Sequence, residues 1–337
     1  MALSDIPQGK VSIAERVRKL TLFESLTGAH VLGSNLFLIS GEEAVWRVAE
    51  GGEPERIALH GGGILCSACD GKRILTGGDD GKVMELRADG THDVLAIDAK
   101  RRWIDQVALH PDGAIAWSAG KTAFMRAPKG EVKSWDVGST VGGLAFAPKG
   151  MRLAIAHYNG VTLWFPNVAG TPDVLNWKGS HLGVAFSPDG KFVCSTMHEA
   201  ALHGWRLNDG RNMRMSGYPS RVKSYNWSAD GRWMATSGAD AVILWPFQTK
   251  DGPLGKQPQQ HAPLPARVSV VACHPKEDML AAGYNDGTLL LVRISDGAEI
   301  LVREPDGQPV VALSWNARGD LLGFACEKGA AGIVSVA

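Results

Sequence analysis

The sequence has no excess of charge of either sign and no long apolar run. Its 337 residues contain 35 Lys and Arg and 35 Asp and Glu. A balanced chain has no overall field that favours nucleic acid or anionic lipid, whose binding depends on clustered positive charge. No stretch approaches about 20 uncharged apolar residues, and the N-terminus, MALSDIPQGKVSIAER, lacks the apolar segment of a signal peptide. We therefore expect a soluble chain that is not exported, does not bind membranes and resides in the cytoplasm.

Cysteine is scarce and odd in number. There are five cysteines, and Cys194, Cys273 and Cys326 lie inside apolar, strand-like runs. This pattern suits buried thiols in a reducing compartment better than a disulfide framework.

Motifs of catalysis and cofactor binding are missing from the sequence. It contains no Gly-Lys-Ser/Thr phosphate loop, no Gly-x-Ser-x-Gly elbow and no His-Glu-x-x-His helix. Cys66 and Cys69 form a C-x-x-C with His60 upstream, a spacing that could hold a soft metal. No second pair follows at ligand spacing, so a structural role is favoured. We predict no enzyme activity, no cofactor and no metal.

Helical periodicity is almost missing as well. Few windows longer than about ten residues place apolar side chains at three-to-four spacing, whereas short apolar runs bounded by Gly, Pro, Asp and Asn occur throughout. The 41 glycines and 17 prolines make turns frequent. These features predict an all-β chain.

What the sequence does contain is a repeat. The stretch VAFSPDGKFVCSTMHEAALHGW, which begins at residue 184, has counterparts along the chain, and the turn glycines Gly113, Gly150, Gly190 and Gly231 are 37, 40 and 41 residues apart. Further copies begin at 271 and 313, and weaker ones at 65 and 30, so that eight units of about forty residues fill about residues 17–337.

Each unit has the same order of elements. An apolar strand is followed by a Pro-Asp-Gly type of turn, a second strand, an Asn/Asp-Gly turn and a third strand that often ends in Trp. The variable segments between units, such as EVKSWDV at 131 and PDVLNWK at 172, have room for a fourth strand. A small sheet of this kind is apolar on both faces and must stack against copies of itself, and radial closure into a β-propeller removes both ends of the stack.

The units resemble WD repeats of a divergent, bacterial type, and the resemblance covers nearly the whole chain. Where the family places Trp-Asp at the end of the third strand, this chain has Trp46-Arg47, Trp164-Phe165, Trp205-Arg206 and Trp245-Pro246. The Gly-His pair before the first strand survives only as Leu59-His60-Gly61 and Ser180-His181. The missing Asp and His predict that packing of Trp and aliphatic side chains replaces much of the hydrogen-bonded tetrad that stiffens many such blades.

We therefore predict a single closed β-propeller of four-stranded antiparallel blades over residues 17–337. Eight blades are the main expectation and seven the alternative, because seven is the commoner number in the family and the first unit lacks a clear Pro-Asp-Gly turn. The eighth unit ends on its third strand, so Val17, Leu20 and Leu22 are predicted to supply the outer strand of the last blade and to hide its edge. Residues 1–16 are expected to form a flexible N-terminal arm.

The resemblance also implies where a partner would bind. In a propeller, the loops entering the inner strands and the turns between second and third strands emerge on one face around the channel, here called the top face. WD-repeat proteins often bind partners there, and aromatic and Arg side chains are enriched at binding hot spots. Carried over position by position, the rim of the top face comprises Trp103, Asp105, Tyr158, Ser180, Leu182, His198, Glu199, Arg221, Lys223, Arg267, Ser269 and Tyr284.

The predicted function is a non-catalytic scaffold that binds another protein or a peptide on this narrow face. One alternative is an enzyme or metal-handling protein that uses the channel mouth. Another is a nucleic-acid reader based on AKRR at 99–102 with Arg221, Lys223 and Arg267, although nucleic acid is disfavoured by the balanced charge. A second candidate surface is the insertion at 246–267, whose five prolines predict a solvated loop acting as a linker or presenting an extended peptide.

Overall fold

The computed structural model describes residues 11–336, and strands make up nearly all of their regular structure. One short 3₁₀ helix, Ala14–Arg16, is the only helical element in that range. Nothing helical in these residues is long and apolar enough to span a bilayer. The prediction of an all-β chain is confirmed.

Two short strands come first along the chain, and both join sheets formed by its last residues. These are β1 (Val11–Ser12) and β2 (Arg18–Thr21). Blade 1 follows, with β3 (Leu26–Leu32), β4 (Asn35–Ser40), β5 (Ala44–Val48) and β6 (Pro54–Ala58). Blade 2 contains β7 (Ile64–Cys69), β8 (Arg73–Gly78), β9 (Lys82–Arg87) and β10 (His92–Ile97). Blade 3 contains β11 (Gln106–Leu109), β12 (Ile115–Ala119), β13 (Thr122–Arg126) and β14 (Val132–Asp136).

Blade 4 is a six-stranded sheet. Its strands are β15 (Gly143–Phe146), β16 (Leu153–Trp164), β17 (Asp173–Phe186), β18 (Phe192–Met197), β19 (Leu202–Arg206) and β20 (Asn212–Met215). Strand β16 holds the second and third strands of the fourth sequence unit, and β17 joins the outer strand of that unit to the inner strand of the fifth. Tyr158 pairs with Ser180 in the ladder between β16 and β17, which links the two units.

The last three blades follow the four-stranded plan, with additions from the N-terminus. Blade 5 contains β21 (Tyr225–Trp227), β22 (Trp233–Thr236), β23 (Val242–Pro246) and β24 (Gln259–His261). Blade 6 contains β25 (Val268–Cys273), β26 (Met279–Tyr284), β27 (Leu289–Arg293), β28 (Glu299–Arg303) and also β1. Blade 7 contains β29 (Val310–Trp315), β30 (Leu321–Cys326), β31 (Ala330–Ser335) and β2.

The prediction of eight separate four-stranded blades is wrong. When one hydrogen-bonded sheet is counted as one blade, residues 11–336 form a seven-bladed propeller, because units four and five share the sheet of blade 4. Within unit four the backbones approach closely at Gly160, where a Cβ atom would lie 2.4 Å from the carbonyl oxygen of Leu175. The strands of all eight sequence units are present, but two units share one blade.

The N-terminal strand completes the last blade, as predicted. Strand β2 pairs antiparallel with β31, from Arg18 opposite Ile333 to Thr21 opposite Ala330. Val17 and Leu22 on either side of β2 are buried. Strand β1 adds a parallel pairing to the outer edge of β28. Residues 1–10 of the predicted arm lie outside the described residues.

Apolar contacts between neighbouring blades close the ring. Leu26 and Val31 of blade 1 belong to the same buried cluster as Ala325 and Ala331 of blade 7. Because each sheet buries its apolar faces against its neighbours, no blade has a complete core of its own.

Hydrogen-bonded networks also stiffen some blades, so the expected replacement of the tetrad by packing holds only in part. In blade 2, the ring nitrogens of His60 lie 3.0 Å from Asp80 Oδ1 and 2.8 Å from Thr76 Oγ1. In blade 5, the Tyr218 hydroxyl lies 2.6 Å from Thr236 Oγ1 and accepts a 2.6 Å hydrogen bond from Trp245 Nε1.

The insertion at 246–267 is not simply a solvated loop. Gln259–His261 pairs with β23 as the outer strand of blade 5, and Phe247 packs edge to face against Phe192 of blade 4 at 5.2 Å between ring centroids. An outer strand leaves one edge unpaired, which is the position in a sheet where nearby prolines are tolerated. The expectation of a wholly solvated segment is therefore corrected.

Candidate functional site

Loops of several blades converge around one cavity on the top face. The cavity has a volume of about 730 Å³ and is called here the channel-mouth cavity. Its lining includes the loops that enter β21, β25 and β29 and the turns that follow β18, β22, β26 and β30. The lining includes the side chains of His198, Arg221, Lys223, Arg267, Ser269 and Glu327.

Hydrogen bonds hold the backbone of these loops in place. Asn285 Oδ1 accepts a 2.9 Å hydrogen bond from the backbone N–H of Arg267. Ser220 Oγ donates to the carbonyl oxygen of Gly238 at 2.8 Å. Ser269 Oγ lies 2.6 Å from the carbonyl oxygen of Val310, which ties blade 6 to blade 7. The charged side chains at the cavity therefore project from a backbone that is already positioned.

The basic side chains of the channel-mouth cavity have no ion-pair partner among the residues that the structure describes. Arg221, Lys223 and Arg267 are exposed, and none forms an ion pair with another residue in the range 11–336. Elsewhere arginines do have carboxylate partners, as in the pair between Arg102 and Asp98 at 2.7 Å. The cavity thus carries three free cations beside one exposed carboxylate, Glu327.

A second cavity adjoins the first over blade 4. It has a volume of about 510 Å³, and His198 lines both cavities. This blade 4 cavity is lined by Tyr158, Trp177, Lys178, Ser180, Glu199 and Arg214, among others. The Tyr158 side chain is 55% exposed, so an aromatic face is available to a ligand. The backbone N–H of His198 donates to the carbonyl oxygen of Ser180 at 2.9 Å, which joins the two parts of the site.

The structure brings most of the predicted rim residues together. His198, Arg221, Lys223, Arg267 and Ser269 line the channel-mouth cavity. Tyr158, Ser180 and Glu199 line the blade 4 cavity, which His198 shares.

The other four predicted rim residues lie apart from both cavities. Trp103 is 61% exposed in the loop before β11. Asp105 lies in the same loop and is half-buried, and burial raises the pKa of Asp105. Leu182 is half-buried in β17. Tyr284 is fully buried and its hydroxyl donates to the carbonyl oxygen of Ala262, so the expectation of Tyr284 at the rim surface does not hold.

Sequence reasoning missed several residues of the site. Glu327 follows β30, in the same turn position as Asn285 after β26, so the alignment of units gives a signal for it. Phe23 lines neither cavity, but it is fully exposed in the loop that enters β3, and an aromatic residue ahead of an inner strand is the same signal that indicated Trp103. The preceding residue, Leu22, donates its backbone N–H to Gly329 in the turn that holds Glu327.

Both cysteines of the C-x-x-C pair form hydrogen bonds with backbone groups. Cys66 Sγ lies 3.3 Å from the carbonyl oxygen of Ile104, and Cys69 Sγ accepts a hydrogen bond from the backbone N–H of Gly71. Burial raises the pKa of Cys66 to about 12 and that of Cys69 to about 11. Within the described residues, no group of three or more His, Cys, Asp and Glu side chains is arranged to hold a metal ion.

Comparisons with known proteins point to one fold. Residues 266–337 match the family described as Anaphase-promoting complex subunit 4 WD40 domain. The C-terminal WD40 domain of Sif2 is similar in structure, with a TM-score of 0.75 and 16% identity over 98% of this chain and all of that one. The computationally designed Ika8 protein is also similar, with a TM-score of 0.73 and 16% identity over 94% of this chain and 98% of that one. Comparison with curated protein sequences gave no match.

At this identity the solved structures show the fold alone, and the family match covers the last part of the chain. The forty-residue units, the blades that they form and the match over residues 266–337 agree with one another. The chain is a β-propeller, and its residues 266–337 match a WD40 family.

Proposed function

We propose that this protein is a non-catalytic scaffold that binds another protein, or a peptide segment of one, on its top face. WD-repeat propellers are typically interaction scaffolds. The observation that carries the proposal is the pair of adjoining cavities that meet at His198. Cavities of about 300–1,000 Å³ are the usual size of small-molecule sites, and each of these two lies in that range, so each has room for side chains of a bound segment.

The composition of the two cavities supports binding rather than chemistry. An exposed aromatic ring and unpaired arginines are the side chains that contribute most at protein interfaces. Here Tyr158 lies in strand β16 and Arg221 in the loop that enters β21, and hydrogen bonds hold the backbone at both places, so little backbone order has to be gained on binding.

The test is a co-purification from the native host with two double variants. Tyr158→Ala with Arg221→Ala removes one aromatic ring and one cation from the top face. The matched control is Phe165→Ala with Lys149→Ala, which removes the same types of group beyond the opposite ends of the strands. We expect the first double variant to lose the partners that the unaltered protein and the control retain. Equal recovery of every partner by all three proteins would contradict binding on the top face.

A further inference from the structure

We infer that the partner segment bound at the two cavities is acidic, that is, an extended peptide whose Asp or Glu side chains pair with Arg221, Lys223 and Arg267. This inference rests on the proposed function and names the chemistry of its ligand. Guanidinium groups match carboxylates in bidentate geometry, and unpaired cations on a fixed backbone retain their full capacity for such bonds.

The excess of basic side chains around the two cavities supports an acidic ligand. Together the two cavities are lined by five basic side chains and two carboxylates; these are Lys178, Arg214, Arg221, Lys223 and Arg267 against Glu199 and Glu327. The whole chain has equal numbers of basic and acidic residues, so this local excess is not a consequence of composition. An acidic ligand is attracted to such a site and oriented within it.

The elongated shape of the site supports an extended peptide rather than a small anion. Because His198 lines both cavities, the site runs from the channel mouth to blade 4 rather than forming a single pit. An extended peptide can place an acidic part against Arg221 and Arg267 and an apolar or aromatic side chain against Tyr158 and Trp177. A small anion would occupy only one part of such a site.

A peptide fits these observations better than a nucleic acid. A nucleic-acid strand has one phosphate about every 3.4 Å, so it would bring negative charge against Glu199 and Glu327 as well as against the cations. The basic run at 99–102 adds little to a nucleic-acid site, because Arg102 is paired with Asp98 and Arg101 Nη1 donates to the carbonyl oxygen of Asp80.

The experiment is a selection of random peptides of about a dozen residues, displayed on phage, against the full-length protein. The first variant is Arg221→Ala, Lys223→Ala, Arg267→Ala. The matched control is Lys129→Ala, Lys149→Ala, Lys276→Ala, which removes the same charge from exposed turns at the opposite ends of the strands. Peptides enriched on the unaltered protein are then synthesised with a fluorescent label and titrated against all three proteins, together with each peptide's Asn and Gln counterpart and a single-stranded oligonucleotide of similar length.

We expect enriched peptides to be rich in Asp and Glu, and their affinity to fall roughly tenfold or more in the top-face variant and in the Asn and Gln peptides. The control variant should bind as the unaltered protein does, and far-ultraviolet circular dichroism should show all three folded. Enriched peptides without acidic residues, or acidic peptides that bind the top-face variant equally well, would overturn the inference while leaving the scaffold proposal in place. Tighter binding of the oligonucleotide than of any peptide would also overturn it. If no peptide is enriched on the unaltered protein, the proposed function itself fails.

Discussion

The ring of His203 packs against neighbouring aromatic side chains, but its two buried nitrogens do not stabilise the fold through hydrogen bonds. It is fully buried in β19, stacked on Trp177 at 3.9 Å between ring centroids and edge to face with Trp205 at 4.7 Å. Neither ring nitrogen has a hydrogen-bond partner in the part of the chain that the structure describes. Burial lowers the pKa of His203 to about 3, so the ring is neutral in the folded protein.

Replacing His203 with Phe keeps the aromatic packing and removes two buried polar atoms without partners. We expect His203→Phe to raise the free energy of unfolding by about 1 kcal/mol at neutral pH. At about pH 5 the gain should be larger by about 2 kcal/mol, because the unfolded histidine takes up a proton below its usual pKa and the folded one does not. Urea unfolding at the two pH values measures both gains.

The matched control is His92→Phe, because His92 is exposed in β10. This change should leave the free energy of unfolding almost unaltered at both pH values. A gain for His203→Phe that is the same at neutral and acidic pH would contradict the account of its buried neutral ring.

Residue-level prediction of the site failed where one position decides which way a side chain faces. Tyr284 is the last residue of β26 and is buried, while Asn285, the next residue, is exposed at the channel mouth. Successive side chains along a strand point to opposite faces, so an error of one position exchanges a buried side chain for an exposed one. Arg221, Lys223 and Arg267 were predictable because they lie in loops, where a shift of one residue matters less.

Among the elements, the strands and turns were predictable from the sequence, but the sharing of one sheet by two units was not, and the predicted number of blades was wrong. Turn residues with a preference for positive φ marked the strand ends, and Gly113, Gly150, Gly190 and Gly231 all have positive φ in the structure. The Asn159-Gly160 pair indicated a turn of the same kind. Pairing of Tyr158 with Ser180 across that point depends on contacts between distant parts of the chain, which a local turn signal does not contain.

The N-terminal strand β2 should be essential for the stability of the ring. Deletion of residues 1–24 removes β1, β2 and the buried side chains of Val17 and Leu22, and it leaves the edge of β31 unpaired. We expect the melting temperature to fall by about 10 °C or more, or the protein to aggregate, because apolar burial is lost and an edge is exposed. Differential scanning calorimetry and light scattering measure the two outcomes.

Deletion of residues 1–13 is the control for this experiment, because it removes β1 but keeps β2 in blade 7. We expect that shorter deletion to have a much smaller effect on the melting temperature. A protein lacking residues 1–24 that melts like the full chain would refute the closure of the ring by β2.

The molecule as a whole should lose stability between neutral pH and about pH 4. Burial lowers the pKa of four histidines, to about 4 for His30 and about 3 for His203, with His60 and His181 shifted in the same direction. A base with a lowered folded pKa binds fewer protons folded than unfolded, so stability is complete above about pH 6.5 and falls as the pH falls through the window below it. The raised pKa of Asp105 acts in the opposite direction, because the folded protein binds a proton there more readily than the unfolded chain does, but it is one group against four.

Carboxylates with lowered pKa values do not contribute in this window. Burial alone would raise the pKa of Asp80, but hydrogen bonds from Gly61, His60 and Lys82 lower it to about 2, so its contribution to stability is lost only below about pH 4. We therefore expect the histidines to lower the free energy of unfolding by roughly 4 kcal/mol between neutral pH and about pH 5, mostly through His30 and His203. Urea unfolding across that range, with the slope against pH giving the protons taken up on unfolding, measures the effect. A free energy of unfolding that is constant from neutral pH to about pH 5 would contradict burial of these rings in their neutral form.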